Sequence, residues 1–507
     1  MPTSLSNPTV LVVTPEVTYL PEGMGNMSNH LTAKAGGLAD VSAALISALF
    51  DQGADVHVAL PDYREIFAAH TAPVLKSEFR RIRDKVPEDR IHLAEDRAFF
   101  YTTTVYSHYG TDNIKIALAF QREIINNIMP RVKPDLIHCN DWMTGLIPAA
   151  AREMGIPCLF TIHNIHTVKT FLAYIEDRGI DAAYFWHHLY YENMAVEYEE
   201  TREVNPVDLL VSGVFAAHFV NTVSPTFLHE IVEGRHGFVE APLKQELTNK
   251  FHAECATGIL NAPDPSYHPE TDEALVQTYS AQDHAEGKRK NKRYLQHSLG
   301  LLEDDLAPIF FWPHRLDPVQ KGCQLLAEIL YAAVSKYWDR HLQIVFVANG
   351  EYKDVFHSIV AFHELYDRVA VGGFDEQLAR VAYAGADFIL MPSRFEPCGL
   401  PQMIAPLYGC LPVAHNTGGI HDTVAQLSTE SNSGNGFLFD VYDSQGLFWA
   451  IDQAVLFHGS PARKRQRQIQ RIMLESAETF NHDVTARHYM QLYEKMLQRP
   501  LIAEPPY

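Results

Sequence analysis

Short apolar segments alternate with helical patterns along this 507-residue chain. Residues 9–14 form an apolar run typical of a strand buried on both faces, and residues 38–50 carry apolar side chains at helical spacing. Strands separated by helices indicate parallel sheets covered on both sides. The other predicted strands are 56–60, 136–139, 158–162, 219–223, 309–312, 344–348, 369–371 and 388–391. The pattern predicts an α/β protein built from doubly wound sheets.

The chain is long enough for two or three domains. We place the main boundary near residues 255–265, where a proline-rich turn follows a strand-like segment, Gly258 to Leu260. The predicted domains are residues 1–258 and 259–480, two doubly wound units of similar size with a cleft between them. Residues 481–507 are predicted to form a helix followed by a proline-rich tail.

The amino-acid composition limits the kinds of molecule that this protein is expected to bind. The net charge of -21 argues against a nucleic-acid backbone or an anionic membrane surface, whereas a neutral polysaccharide would be indifferent to it. Six scattered cysteines without a CxxC pair suit reduced thiols. We find no signal-like segment and no run of 18 apolar residues. The sequence therefore predicts a cytoplasmic protein with no nucleic-acid or membrane partner.

The segment from Pro392 to Gln402 reads PSRFEPCGLPQ. It follows a predicted strand and precedes a helical pattern, which places it at the crevice where α/β proteins bind ligands. The prolines at 392 and 397 stiffen the chain on both sides of Glu396. We expect the carboxylate of Glu396 to point into that crevice.

Two Gly-Gly turns each precede a helical pattern, Gly36-Gly37 in the first half and Gly418-Gly419 in the second. Backbone N–H groups at such a turn can meet an anion, although a tight turn alone explains either pair. One turn in each predicted domain suits a bound diphosphate. The fingerprints GxGxxG and GxxxxGK[ST] are absent from the sequence.

Several motifs resemble those of glycogen and starch synthases, which are retaining glucosyltransferases of the two-domain GT-B type. They are KAGGLADV at 34–41, TIHN at 161–164, Arg315-Leu316 with Gln320-Lys321-Gly322, the 392–402 segment, and NTGGIHDTV at 416–424. The resemblance runs from Thr14 to Phe439. It implies two Rossmann-like domains facing each other across a cleft, a C-terminal helix that crosses back to the first domain, and no metal or other cofactor.

The resemblance also implies roles for individual residues. It assigns Glu396 to the hydroxyls of the donor sugar and His163 to the border of the donor glucose. It assigns Arg315, Lys321 and Lys34 to the diphosphate, and the Gly418-Gly419 turn to phosphate or ribose contacts. The implied substrate-binding residues are Lys34, Gly36, Gly37, Asp40, Asp141, Asn261, Cys398, Gly399, Leu400, Thr417, Gly418 and Gly419. A surface ion-pair loop is the alternative interpretation for Arg315 and Lys321. The pair His187-His188 is interpreted as solvated or structurally satisfied.

The sequence departs from the family pattern at four places. The Arg315 to Lys321 spacing is one residue longer, and some ten residues at about 22–32 are extra. Residues 348–351 (ANGE) stand where Gly-x-Gly-Asp is usual, and residues 261–264 (NAPD) replace Asn-Gly-[Ile/Val]-Asp. These four departures bear on which nucleotide base and which acceptor the protein binds more than on its fold.

Three functions remain open from the sequence. The first is a glucosyltransferase that extends the non-reducing end of an α-1,4-glucan from ADP-glucose, with UDP-glucose as the other donor to consider. The second is a GT-B transferase that uses another nucleotide-glucose or a small sugar acceptor, or a phosphorylase. The third is a catalytically silent glucan-binding relative, against which the joint retention of Lys34, Arg315, Lys321 and Glu396 argues.

Overall fold

The computed structural model describes residues 7–25, 28–69, 90–107 and 110–502. Contacts between Cα atoms divide the chain into two compact units. Unit 1 comprises Met1–Asn261 together with His482–Tyr507, and unit 2 comprises Ala262–Asn481. Among the described residues, no helix is both long and apolar enough to cross a membrane.

Unit 1 is built on a seven-stranded parallel sheet with the strand order β3-β2-β1-β4-β5-β8-β9. The inner strand β1 is almost wholly buried, which explains its unbroken apolar sequence. Strands β6 and β7 form a separate antiparallel pair. The strands are β1 (Thr9–Val13), β2 (Asp55–Pro61), β3 (Ile91–Ala94), β4 (Leu136–Asn140), β5 (Cys158–Thr161), β6 (Lys169–Thr170), β7 (Val207–Asp208), β8 (Phe219–Asn221) and β9 (Ala256–Thr257).

Helices connect the strands of unit 1, and several begin at side-chain caps. Asp208 accepts a hydrogen bond from the Val211 N–H, and Ser224 accepts one from the Phe227 N–H. The helices are α1 (Gly37–Asp51), α2 (Arg64–Ala69), α3 (Arg97–Phe100), α4 (Gly110–Glu123), α5 (Met129–Val132), α6 (Ile147–Glu153), α7 (Leu172–Asp177), α8 (Tyr198–Thr201), α9 (Leu209–Ala216), α10 (Pro225–Glu233) and α11 (Ala241–His252).

Unit 2 is built on a six-stranded parallel sheet with the strand order β12-β11-β10-β13-β14-β15. Phe310 and Trp312 pack into one apolar core cluster, whereas Ile309 and Phe311 pack into another. Successive side chains of β10 therefore bury on opposite faces. The strands are β10 (Ile309–Trp312), β11 (Gln343–Val347), β12 (Val369–Gly372), β13 (Phe388–Met391), β14 (Leu411–His415) and β15 (Phe437–Phe439).

The helices of unit 2 supply the apolar faces that cover this sheet. Leu326 and Leu330 of the helix after β10 are fully buried in the first cluster, with Ile451 from the helix that follows β15. The helices are α12 (His284–Leu299), α13 (Cys323–Lys336), α14 (Lys353–Phe362), α15 (Glu376–Gly385), α16 (Pro401–Leu407), α17 (Gly418–Thr423), α18 (Ser444–His458) and α19 (Ala462–Thr479).

The last helix, α20 (His482–Leu497), packs against α1 in unit 1. Its Tyr493 hydroxyl lies 2.8 Å from Nδ1 of His138, and the Asn221 amide donates to the Tyr489 hydroxyl at 2.7 Å. Nε2 of His138 meets the Thr161 hydroxyl at 2.7 Å, so both ring nitrogens of this buried imidazole have partners. Burial lowers the pKa of His138 to about 3.

The neutral His138 makes stability depend on pH. Its pKa is about 3 in the folded chain against 6.5 in the unfolded chain, so below pH 6.5 only the unfolded chain binds this proton. Stability is therefore lost as pH falls from 6.5 towards 3, by about 1.4 kcal/mol per pH unit from this group. We expect His138→Gln to show a correspondingly shallower pH dependence of the free energy of unfolding in urea titrations. Equal slopes for His138→Gln and wild type would contradict the account.

The predicted α/β fold is confirmed, and the strands named from the sequence form within one or two residues of their expected ends. One strand assignment was wrong. The segment Gly258 to Leu260 is not a strand, because pairing with β8 ends at Thr257. A Cβ at Gly258 would lie 2.1 Å from the Ser224 carbonyl carbon, so this glycine carries the chain closely past the start of α10. Strands β3, β6, β7, β9, β14 and β15 were not predicted.

The described backbone on either side of the extra residues at 22–32 is paired. Val17 and Ala33 exchange backbone hydrogen bonds of 3.0 and 2.8 Å, and the Thr32 hydroxyl donates to the Thr18 carbonyl at 2.8 Å. Met24 and Leu31 are buried. The insertion therefore starts and ends beside the loop that carries Lys34.

Candidate active site

Three loops of unit 2 follow the neighbouring strands β10, β13 and β14. The carboxyl ends of parallel strands meet at one edge of a sheet, so the fold brings residues 313–322, 392–400 and 416–417 together. These loops carry Arg315, Lys321 and Glu396, and the third leads into the Gly418-Gly419 turn at the start of α17. The sequence predicted this edge as the position of the donor site.

Glu396 is buried, with 6% of its surface exposed. Its Oε2 accepts a hydrogen bond from Nζ of Lys321 at 2.7 Å and one from the Ser393 hydroxyl at 3.2 Å. The carbonyl of Ser393 in turn lies 2.8 Å from Nδ1 of His415. The structure thus joins Lys321 and Glu396 in a nearly buried ion pair, a contact that the sequence did not predict.

A closed turn absorbs the extra residue between Arg315 and Lys321. The Lys321 N–H donates to the Asp317 carbonyl at 3.0 Å, and Oδ1 of Asp317 accepts from the N–H groups of Val319 and Gln320 at 2.8 and 3.2 Å. The Arg394 N–H fastens this turn to the next loop through the Gln320 carbonyl at 2.8 Å. Lys321 consequently still reaches Glu396.

Arg315 lies exposed at the start of the same loop. Beside it, His314 is buried, and burial, followed by the charges of Lys321 and Arg315, lowers the pKa of this imidazole well below its ordinary value. His314 therefore stays neutral, and the fixed positive charge of this loop resides on Lys321 and Arg315. Two cations on one loop can neutralise an anion such as a diphosphate.

The Gly418-Gly419 turn packs against the loop of Glu396. A Cβ at Gly418 would lie 2.1 Å from the Glu396 carbonyl oxygen, and one at Gly419 would lie 2.0 Å from the Cys398 carbonyl oxygen. The Gly419 N–H donates to the Glu396 carbonyl at 2.9 Å. The Gly419 N–H, in the turn that we assigned to phosphate or ribose contacts, therefore holds the Glu396 loop instead. Thr417 is buried just before the turn.

The residues after Glu396 shape its loop. The Gln402 side-chain amide donates to the carbonyls of Cys398 at 2.8 Å and Gly399 at 3.2 Å, and Leu400 precedes α16. Cys398 is buried. These contacts fix the backbone on the C-terminal side of Glu396, while the Lys321 pair fixes its carboxylate.

In unit 1, the Lys34 loop is organised by Glu16. This buried carboxylate accepts from the N–H groups of Ala35 at 2.7 Å and Gly36 at 3.0 Å, and from the Tyr106 hydroxyl at 3.2 Å. Burial raises the pKa of Glu16. The Gly36 N–H, which we assigned to a phosphate, therefore binds a carboxylate of the chain itself.

Lys34 and Asp40 form an ion pair of 2.9 Å across the start of α1. The Thr18 hydroxyl donates to the other oxygen of Asp40 at 2.6 Å. Gly37 is the first residue of α1, and Gly36 precedes it in an extended conformation. Lys34 remains partly exposed, so its ammonium group can still meet solvent or a ligand.

Asp141 and His163 meet at the ends of the adjacent strands β4 and β5. Oδ1 of Asp141 accepts from the His163 N–H at 2.7 Å and the Asn164 N–H at 3.3 Å, and Nε2 of His163 lies 2.9 Å from the Asn140 amide oxygen. Burial lowers the pKa of His163 to about 3 and raises that of Asp141 to about 7. Nε2 of the neutral imidazole donates to Asn140, which leaves Nδ1 as an acceptor.

Asn261 is the last residue of unit 1 before the chain enters unit 2. It is buried, and its amide oxygen has no hydrogen-bond partner among the described residues. Sequence reasoning assigned Asn261 to the substrate but overlooked Glu16, Tyr106, Asn140, Ser393 and Asp317. Glu16 lies near Thr14, where the resemblance to the family begins, so the sequence offered a signal for it. Tyr106 is 90 residues away from Glu16 along the chain, and only the fold brings the two side chains together.

The amino-acid sequence matches two family models. Residues 9–244 match the starch synthase catalytic domain, and residues 307–456 match the glycosyl transferases group 1 domain. A glycogen synthase of Moorella thermoacetica is 33% identical over 517 residues, covering 97% of both chains. A glycogen synthase of Exiguobacterium sibiricum is 33% identical over 493 residues, covering 91% of this chain and 95% of that one.

The fold also matches a solved structure. The catalytic domain of starch synthase IV from Arabidopsis thaliana, bound to ADP and acarbose, superposes with a TM-score of 0.76. The match covers 97% of this chain and all of that one at 24% identity. This likeness concerns the fold, and the sequence relatives carry the assignment to a family. The chain therefore belongs to the glycogen and starch synthase family and is a glycosyltransferase with the GT-B fold.

Proposed function

We propose that this protein transfers glucose from ADP-glucose to the non-reducing end of an α-1,4-glucan, with retention of configuration. The observation that carries the proposal is the buried pair of Lys321 and Glu396, with Arg315 on the same loop. The glycogen synthases among its relatives support the reaction, and the ADP in the Arabidopsis structure supports an adenine nucleotide.

The proposed reaction places increasing negative charge on the leaving diphosphate. Arg315, with its planar fork of donors, binds this anion, and Lys321 adds a second charge that Glu396 holds in place. The Ser393 hydroxyl donates to the same carboxylate oxygen and so helps to fix Glu396. The proposal assigns the remaining acceptor capacity of Glu396 to hydroxyls of the donor glucose. Leaving such a buried partner unpaired costs on the order of 1–3 kcal/mol.

In unit 1, the proposal assigns His163 to a sugar hydroxyl. A neutral imidazole with Nδ1 free to accept suits an uncharged hydroxyl better than an anion. Asp141 fixes the backbone of His163 and so acts as a positioning residue. The proposal assigns Lys34 to the diphosphate, and its ammonium group forms an ion pair with Asp40 in this structure. No metal or other cofactor enters the proposed transfer step.

A substitution at Gly36 tests whether the diphosphate binds close to this backbone in unit 1. A Cβ at this position has no neighbouring atom within 4 Å, and the extended backbone accepts any residue. We expect Gly36→Ala to fold normally, with a free energy of unfolding within about 1 kcal/mol of wild type. The KM for ADP-glucose should nevertheless rise about tenfold or more if the diphosphate passes close to this backbone.

Gly237→Ala is the matched control, because its Cβ would also enter open space. Both glycine variants should unfold like the wild type, and only Gly36→Ala should change KM. An unchanged KM in Gly36→Ala would remove this loop from the donor site.

The test of the proposed function measures nucleotide release from ADP-glucose and from UDP-glucose, each with glycogen, maltose or glucose as acceptor, with and without EDTA. We expect the highest kcat/KM with ADP-glucose and glycogen, and no change of kcat on chelation. A kcat/KM with UDP-glucose as high as that with ADP-glucose would overturn the donor assignment. Preference for glucose as acceptor would favour a small-acceptor transferase, and absence of turnover in the folded protein would favour a silent relative.

A further inference from the structure

One cluster of possible metal ligands lies in unit 1 outside the residues assigned above. Oε1 of Glu153 lies 2.9 Å from Nε2 of His187 and 2.8 Å from Nε2 of His188. The candidate ligand atoms of all three residues lie within 4.8 Å of one another. We refer to Glu153, His187 and His188 as the Glu153 cluster.

The Glu153 cluster is held by ordered backbone. Glu153 is the last residue of α6, and the histidines belong to a 3-10 turn, Trp186–His188. The His188 N–H donates to the Phe185 carbonyl at 2.9 Å, and the Tyr191 hydroxyl donates to the Trp186 carbonyl at 2.7 Å. The three side chains are therefore brought together by the fold before any ligand arrives.

We propose that Glu153, His187 and His188 bind one divalent transition-metal ion of the Zn²⁺ type. Imidazole nitrogen combined with a carboxylate is a donor set that Zn²⁺ and its neighbours accept. Ligand atoms about 2.0–2.2 Å from a shared tetrahedral ion lie roughly 3.3–3.6 Å apart. The contacts of 2.9 and 2.8 Å would therefore have to widen by about half an ångström to admit the ion. Both Nε2 atoms approach the same carboxylate oxygen, so all three ligands point to one place.

The charges around the Glu153 cluster favour a moderate affinity. One carboxylate opposes the two charges of the ion, and Arg152 adds positive charge nearby, although its Nε donates to the Ala216 carbonyl at 2.9 Å. His187 is half exposed, so water can complete the coordination shell. Three protein ligands with an open position predict a Kd on the micromolar scale, far weaker than a closed four-ligand site.

A bound ion would tie the end of α6 to the Trp186–His188 turn. Binding to the folded chain alone raises its stability by mass action. We expect Tm to rise by about 2–5 °C when free Zn²⁺ exceeds the Kd a hundredfold. The ion is structural and takes no part in glucosyl transfer, so the proposal stands whether or not the proposed function is correct.

The test is a titration of untagged, chelator-stripped protein with ZnCl₂, followed by isothermal calorimetry and by native mass spectrometry. We expect one ion per chain in the wild type, and at least tenfold weaker binding in each of His187→Ala, His188→Ala and Glu153→Gln. The absorption spectrum of the Co²⁺ complex should show nitrogen and oxygen coordination and should disappear in the same variants. Circular dichroism checks that each variant is folded.

His297→Ala is the matched control, because His297 and Glu303 form an exposed pair of 2.9 Å without a second imidazole. It should bind Zn²⁺ like the wild type. Equal affinity and stoichiometry in the wild type and in folded His187→Ala would overturn the proposal. So would a wild type that binds no ion at micromolar Zn²⁺, because the cluster would then be only a hydrogen-bonded group.

Discussion

Replacing Lys321 by alanine should lower kcat by about 10²–10³-fold, because it removes a charge from the proposed diphosphate site. It should also destabilise the fold by roughly 3–5 kcal/mol, since Glu396 would remain buried without its counter-charge. Initial rates with ADP-glucose and glycogen measure the first effect, and urea unfolding measures the second.

Lys336→Ala is the control for Lys321→Ala. Lys336 forms an ion pair of the same length, 2.7 Å, with Asp452, but the lysine is about half exposed. Its loss should change stability by less than about 1 kcal/mol and leave kcat unchanged. The double variant Lys321→Ala/Glu396→Gln should regain part of the lost stability but none of the activity. Near-wild-type kcat in folded Lys321→Ala would contradict the assignment.

Replacing Gly419 by alanine should have the second largest effect. The new Cβ would lie 2.0 Å from the Cys398 carbonyl oxygen, far inside any allowed contact, so the Glu396 loop must move away from α17. The hydrogen bond from Gly419 to the Glu396 carbonyl would be strained or lost. Because a displacement of about 1 Å can cost 10²-fold in rate, we expect kcat to fall by at least that factor.

Gly237→Ala again serves as the control, since it adds the same methyl group in open space. The crystal structure of Gly419→Ala should show a displaced carboxylate at residue 396. Full activity in this variant, or an unmoved loop, would show that the close approach of the two backbones is unimportant for transfer.

The sequence predicted the sheets well where strands are buried on both faces. β1, β10 and β13 are continuous apolar runs, and their position in parallel sheets follows from the helices between them. β14 was overlooked because Pro412 lies inside it, although the strand sits between two partners in the sheet. In β3, His92 interrupts the apolar run, and β15 is a three-residue segment that was not recognised as a strand.

The candidate site was predictable in its residue types but not in its contacts. Glu396 was identified from the motif, yet its pairing with Lys321, 75 residues away along the chain, requires the order of strands in the sheet. Likewise, the sequence assigned the Gly36-Gly37 turn to phosphate and the Gly418-Gly419 turn to phosphate or ribose contacts. In the fold, a distant carboxylate and a backbone carbonyl already accept from the N–H groups of Gly36 and Gly419. Local sequence patterns do not reveal which distant carboxylate or carbonyl oxygen the fold places against these N–H groups.

The central claim is that Arg315 and Lys321 act on one anion despite the longer loop between them. A double-mutant cycle on kcat, with Arg315→Ala, Lys321→Ala and the double variant, tests it most directly with ADP-glucose and glycogen. We predict that each single variant loses about 10²-fold or more and that the double variant loses less than the product of the two. Arg315→Lys should recover only part of the loss, because lysine lacks the planar fork. Strictly multiplicative losses, or unchanged turnover in folded Lys321→Ala, would contradict the account.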